Sequence, residues 1–105
     1  MGKFLVIIPA FNEASVIGKT IQGVRHSLKE AKILVVNDGS SDTTGIEAVK
    51  AGATVVSHPI NRGLGGALGT GLYWAKVRDV DCTVTFDADG QHDPDDILKV
   101  LSPII

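Results

Sequence analysis

The chain lacks most features that would place it outside the ordinary globular class. It holds a single cysteine, Cys82, so no internal disulfide can form and a disulfide-stapled secreted scaffold is excluded. Cys82 stands in an apolar strand pattern and reads as a buried, inert thiol. Charge of one sign is also missing. Ten Lys and Arg against twelve Asp and Glu leave a net charge of −2, which gives no basic footprint for nucleic acid. No apolar run approaches the roughly 18 residues of a membrane span. The early run Phe4 to Ile8 is cut short by Asn12-Glu13, and no small-residue cleavage site follows. It reads as a first strand rather than a signal peptide. There is no repeat, low-complexity tract or linker. The expectation is one soluble cytoplasmic domain with a modest core, with peripheral attachment at the cytoplasmic membrane face left open.

Strand and helix signals alternate along what is there. Phe4-Leu5-Val6-Ile7-Ile8 is a continuous apolar run, as expected of a strand covered on both faces. A helix is expected from about Ala14 to Lys29, with Ile17, Ile21, Val24 and Leu28 on one stripe. Ile33-Leu34-Val35-Val36 is the second strand. The turn Asp38-Gly39-Ser40-Ser41-Asp42 carries side chains that can cap a helix running to about Ala51, and Gly52 suits its C′ position. Thr54 to Ser57 is the third strand. A glycine-rich segment leads into a helix through Trp74 and Lys76. Cys82 to Phe86 is the fourth strand. Pro94 suits the first turn of a last helix, with Asp95 and Asp96 near its positive end and Ser102-Pro103 just after it. Four β-α units imply an α/β fold with a mainly parallel sheet and right-handed crossovers.

In open parallel sheets, ligands bind at the carboxyl ends of the strands, and the polar residues collect there. Strand four ends in Asp87-Ala88-Asp89, followed by Gly90 and Gln91. Two acids closing an apolar strand repel each other unless a cation lies between them. Mg²⁺ takes oxygen ligands, commonly one or two carboxylates plus substrate phosphates. Gln91 adds a neutral oxygen, while His92 fits a turn. Asp38 reads as a turn carboxylate or as an acceptor for a base N–H or a ribose hydroxyl. Glu13 reads as a helix-start charge or a ribose acceptor. Asn61-Arg62-Gly63-Leu64-Gly65-Gly66 lacks the Gly-Lys-Ser/Thr ending of a phosphate loop, and Leu68 replaces the third glycine of a dinucleotide fingerprint. Its glycines, Gly65 and Gly69 above all, are expected to bring a helix close to the sheet. Arg62 can still reach a diphosphate, since its fork matches phosphate geometry. His26 and His58 read as structural.

Ile7-Ile8-Pro9-Ala10-Phe11-Asn12-Glu13, Val35-Val36-Asn37-Asp38-Gly39-Ser40-Ser41-Asp42-Thr43 and Asp87-Ala88-Asp89-Gly90-Gln91-His92-Asp93-Pro94 occur in order along the chain. Together with Asn61-Arg62-Gly63, they resemble the family 2 glycosyltransferases, and among them the dolichyl- and polyprenyl-phosphate sugar synthases. The resemblance runs from Phe4 to about Leu101. It implies the nucleotide-sugar-binding half of a GT-A fold over residues 1–105, with the acceptor-side half absent. On that resemblance, Pro9, Phe11, Glu13, Val36 and Asp38 line a nucleoside pocket, and Asp38 contacts the base. Asp87 and Ala88 lie against ribose and diphosphate. Asp89 and Gln91, helped by Asp87, hold Mg²⁺ or Mn²⁺. Phe11 stands where relatives often carry tyrosine. The implied activity is metal-dependent, inverting transfer from a GDP- or UDP-sugar to an acceptor such as polyprenyl or dolichyl phosphate.

Two further readings stand beside it. One is a non-catalytic nucleotide-binding or assembly module, self-associating through an exposed sheet edge. The other is a phosphohydrolase of the haloacid dehalogenase type, whose D-x-D also ends a strand. That class expects a threonine where this chain has Gln91.

Overall fold

The computed structural model describes residues 4–86 and the backbone of 101–103. The elements in order are β1 (Phe4–Ala10), α1 (Ile17–Ser27), β2 (Lys32–Asp38), α2 (Thr44–Lys50), β3 (Thr54–His58), α3 (Gly63–Val77), β4 (Cys82–Thr85) and β5 (Leu101–Pro103). They build one sheet of order β3-β2-β1-β4-β5. The first four strands run parallel, and β5 pairs antiparallel with β4. The expected α/β alternation and mainly parallel sheet are therefore present.

β1 and β2 lie inside the sheet, and the period-2 alternation of a strand sends their side chains to two cores. Val6, Ile8, Ala10, Ile33 and Val35 face α1 and α2, where Ile17, Ile21, Val24 and Ala48 meet them. Leu5, Ile7, Leu34 and Val36 face α3, where Ala67 and Ala75 meet them. That double coverage explains the unbroken apolar runs. Removing any one of these Leu or Ile side chains from water contributes about 1.5–3 kcal/mol. Cys82 is half-buried, so the expectation of full burial is corrected. His26 is exposed in the last turn of α1.

Several boundaries differ from the expectation for identifiable reasons. α1 starts at Ile17 rather than Ala14: Val16 is its N-cap at φ −122, and the Val16 and Ile17 amides both reach Glu13 O in a turn before the helix. Asn12 N–H donates to Ser40 Oγ (2.9 Å), Glu13 N–H to Thr44 Oγ1 (2.9 Å) and Ala14 N–H to Asp42 Oδ2 (3.2 Å). Asn12 sits at φ 52, and its Oδ1 accepts from the Ser41 amide at 2.8 Å. The β1–α1 and β2–α2 loops are thus clasped together. Asp42 also accepts from the Thr44 amide at 2.9 Å and from the Thr44 hydroxyl, an Asx turn leading into α2, whose N-cap residue Thr43 makes no side-chain cap bond. At the other end of α2, Gly52 takes φ 93. Its amide reaches Val49 O and the Ala53 amide reaches Ala48 O, the paired bonds of a Schellman ending. Arg25 donates to Ala51 O and Gly52 O, which ties α1 to that turn.

The glycines of α3 act differently from the expectation. Gly65 and Gly69 are exposed, and a Cβ at either would meet nothing within 4 Å. The row that faces the sheet is Ala67, Gly71 and Ala75, all buried. A Cβ on Gly71 would lie 2.5 Å from Ile7 Cγ2. Close approach is real, but it falls on the i, i+4 row through residue 71. The chain end differs too. A helix reaching about Leu101 was expected, yet Leu101–Pro103 is a strand beside Cys82–Val84. Pro103 is acceptable there because β5 is an edge strand. Pro94, Asp95 and Asp96, where that helix was expected to begin, lie outside the described residues.

Candidate functional site

The side chains that can act chemically gather at the carboxyl edge of the sheet, on the face covered by α3. Asp38 is the last residue of β2 and pairs in register with His58, the last of β3. Asp38 shares the face of Leu34 and Val36 by the period of the strand. The next residue, Gly39, has φ 75, and a Cβ there would lie 2.4 Å from the Asn61 amide nitrogen. Only glycine lets the chain leave β2 so close to the loop before α3. That approach brings the Arg62 amide within 2.9 Å of Asp38 Oδ1. Arg62 is the N-cap residue of α3, so the carboxylate sits where the helix presents unpaired amides and positive potential.

Asp38 is 4% exposed and His58 8% exposed. His58 Nδ1 lies 2.7 Å from Asp38 Oδ1, and its Nε2 lies 2.8 Å from Thr70 Oγ1. Burial pushes the Asp38 pKa up and is the largest single influence. The bonds from His58 and the Arg62 amide, with the Gly63 amide close by, outweigh it together, and the net pKa lies below the ordinary 3.8. Asp38 is therefore an ionised acceptor at neutral pH.

A cleft of about 260 Å³ opens in front of this carboxylate. Pro9, Phe11, Glu13 and Asp38 line it, along with Ala10 and, from the α3 side, Asn61, Gly63, Leu64 and Ala67. Phe11 is 46% exposed and Leu64 62%, so two apolar side chains stand open to a flat ligand. Pro9 is tolerable in a central strand for a local reason. Ile7 O accepts from the Phe86 amide, so Pro9, two residues on, turns its missing N–H to the β4 side. There the ladder has already passed Thr85, the last paired residue of β4.

The structure thus brings Pro9, Phe11, Glu13 and Asp38 to one cleft. Val36 is elsewhere, wholly buried in the core beneath α3. Asp87, Ala88, Asp89 and Gln91 lie outside the described residues. Among the described residues no cluster of His, Cys, Asp and Glu suits a metal ion. Arg62 is exposed. Asn61 lies on the polar rim where the sequence put it, but sequence reasoning missed Leu64 as a cleft residue and Thr70 as a partner of His58. The only available signal for His58 was its position, in phase with Val56 at a strand end. A larger groove of about 490 Å³ runs between α2 and β3, past Ile46, Val49 and Val55. It is mostly apolar and does not include Asp38, so its size does not make it the chemical site.

A parallel α/β sheet with an ionised carboxylate and a cleft at its carboxyl edge places the cleft where open α/β folds bind their ligands. The profile of glycosyl transferase family 2 matches residues 5–105; the chain belongs to that family. It is 38% identical over 117 residues to a UDP-N-acetylglucosamine–dolichyl-phosphate N-acetylglucosaminyltransferase of Methanococcus voltae, covering 95% of this chain and 46% of that one. Among solved structures it resembles a mannosyltransferase of Pyrobaculum calidifontis in complex with GDP-Man and Mn²⁺. There the TM-score is 0.77 at 25% identity, over 93% of this chain and 30% of that one. It also resembles the glucosyl-3-phosphoglycerate synthase of Mycobacterium tuberculosis in complex with Mn²⁺, UDP and glucosyl-3-phosphoglycerate. That match has TM-score 0.70 and 30% identity, over 84% of this chain and 34% of that one. The chain spans less than half the length of several curated relatives. No helix among the described residues is long and apolar enough to cross a membrane.

Proposed function

We propose that this chain carries the donor-nucleotide site of an inverting, metal-dependent glycosyltransferase that uses a UDP- or GDP-sugar and a polyprenyl-phosphate acceptor. The observation that carries the reading is the convergence of Pro9, Phe11, Glu13 and Asp38 on one cleft at the sheet's carboxyl edge. At about 260 Å³, the cleft falls just under the roughly 300–1,000 Å³ of sites that enclose a drug-sized ligand. It suits a base and ribose, with diphosphate and sugar extending beyond it. Phe11 offers a ring face for the base, Asp38 an acceptor for a base N–H, and Glu13 an acceptor for ribose hydroxyls.

Asp87, Asp89 and Gln91 supply the oxygen set that a hard divalent cation takes. Mg²⁺ or Mn²⁺ held there would stabilise the negative charge that develops on the departing diphosphate. Support for the metal comes from the two Mn²⁺-containing neighbours. Support for a lipid phosphate acceptor comes from the names of relatives such as the undecaprenyl-phosphate mannosyltransferase of Micrococcus luteus. Such an acceptor is already anionic and needs little help from a base. It would also bring the protein to a membrane surface. The acceptor side is proposed to lie outside residues 1–105, so this chain alone transfers sugar slowly or not at all.

Thermal unfolding with UDP, GDP and their sugars, each with and without Mn²⁺, tests the reading. Stabilisation that needs both nucleotide and metal is expected. At one hundred times Kd it amounts to about 2.7 kcal/mol. A melting curve indifferent to every nucleotide would end the proposal.

A further inference from the structure

His58 stands behind the cleft rather than in it. It is 8% exposed and is not among the cleft-lining residues. Its ring spans from Asp38 on β2 to Thr70 on α3, at 2.7 and 2.8 Å. An ionised carboxylate only accepts, so Nδ1 carries the hydrogen that bonds Asp38. In the neutral ring Nε2 is then the acceptor, and the Thr70 hydroxyl donates to it. The Arg62 amide adds a second donor, again to Oδ1. Both bonds converge on one oxygen of a carboxylate that lines the cleft. Oδ2 has no side-chain partner among the described residues, and the Gly63 amide beside the carboxylate donates instead to Asn61 Oδ1 at 2.9 Å.

We infer that His58 is a positioning residue for base selection: with Thr70 anchoring the far side of its ring, it pins Asp38 Oδ1 and turns Oδ2 toward the imide N–H of a bound nucleobase. The inference rests on the nucleotide reading above. Uracil and guanine present a ring N–H at that edge. Cytosine and adenine present a bare ring nitrogen, which an acceptor-only carboxylate repels. A carboxylate free to rotate could offer either oxygen at a poorer angle and to a broader set of bases. The buried ring removes that freedom from the side the ligand never touches.

The test compares calorimetric affinities for UDP against CDP and for GDP against ADP, all with Mn²⁺. The proteins are the wild-type chain, His58→Leu, His58→Gln and His58→Asn. Wild type is expected to prefer the imide base of at least one pair by about tenfold or more, the size of a hydrogen bond to a charged group. His58→Leu and His58→Gln should compress that ratio severalfold. His58→Asn, whose amide can donate from the place of Nδ1, should restore most of it. A merely structural histidine would weaken both members of a pair alike, and an unchanged ratio in His58→Leu and His58→Gln overturns the inference. Should His58→Leu fail to fold, His58→Gln and Thr70→Val carry the comparison, with Thr70→Val expected to fall between Gln and wild type. A wild type that binds all four nucleotides without preference sinks the role of His58 alone. A wild type that binds none sinks the nucleotide reading itself.

Discussion

Asp38 combines two demands that normally conflict: near-complete burial and a retained charge. Burial alone would favour the protonated acid. The His58 ring and the amides that open α3 reverse that preference and hold the pKa below 3.8. The sign of the linked stability follows. Above the unfolded value of 3.8 the carboxylate is charged in both states, and its native bonds contribute in full. As acid takes the pH below 3.8 and through the lower folded pKa, the unfolded chain takes up the proton first and that contribution is lost. Asp38→Asn should be less stable at pH 7 by about 1–3 kcal/mol, the cost of impairing a buried charged hydrogen bond. The gap between wild type and variant should narrow on acidification. Urea titrations from pH 7 down to about pH 2 measure it, and a gap that widens in acid would contradict the assignment.

At the scale of elements, α3 shows how a helix can be apolar throughout and still have a defined inner face. Ala67, Gly71 and Ala75 admit the sheet, whereas Leu72, Tyr73 and Val77 remain exposed. Two alanine substitutions separate the inner row from the outer one. Gly71→Ala forces a methyl against Ile7 and should cost about 1–3 kcal/mol through overpacking. Gly69→Ala meets nothing within 4 Å and should add roughly 0.5–1 kcal/mol by improving helix propensity. Equal effects in chemical denaturation would refute this placement of the helix.

The sequence showed that α3 needs small residues, because glycine and alanine recur there in excess. It did not show which row faces inward, since a helix with apolar residues on every side gives no phase. The apolar middles of β1 and β2 were readable because both faces are covered, whereas their ends, which reach Ala10 and Asp38, were not. The clasp before α1 was hidden because it is non-local: Ser40, Thr44 and Asp42 hold the Asn12, Glu13 and Ala14 amides from 28, 31 and 28 residues away. For the same reason Asp38 was legible as an acid at a strand end, but its bond to His58 was not. Nothing in the local sequence near residue 58 announces a partner twenty positions earlier.

For the molecule as a whole, protection follows position in the sheet. β1 has a hydrogen-bonded neighbour on each side and α-helices over both faces. β3 is an edge strand, and its Thr54 and Ser57 are exposed. Hydrogen exchange should find the slowest amides in Val6 to Ile8 and Leu34 to Val36, with β3 opening at lower free energy. Exchange slowest in β3 would mean that the sheet order is wrong.

The place of β1 between β2 and β4 also bears on assembly. Val6 pairs with Ile33 on one side and with Val84 on the other. The first partner is close along the chain, but the second is nearly at the opposite end of the described segment. Closing so long a loop costs entropy before any contact repays it, and topologies of high contact order fold slowly. Until β4 arrives, the most apolar strand of the protein keeps one bare edge. Such an unpaired apolar edge makes a partly folded chain prone to association.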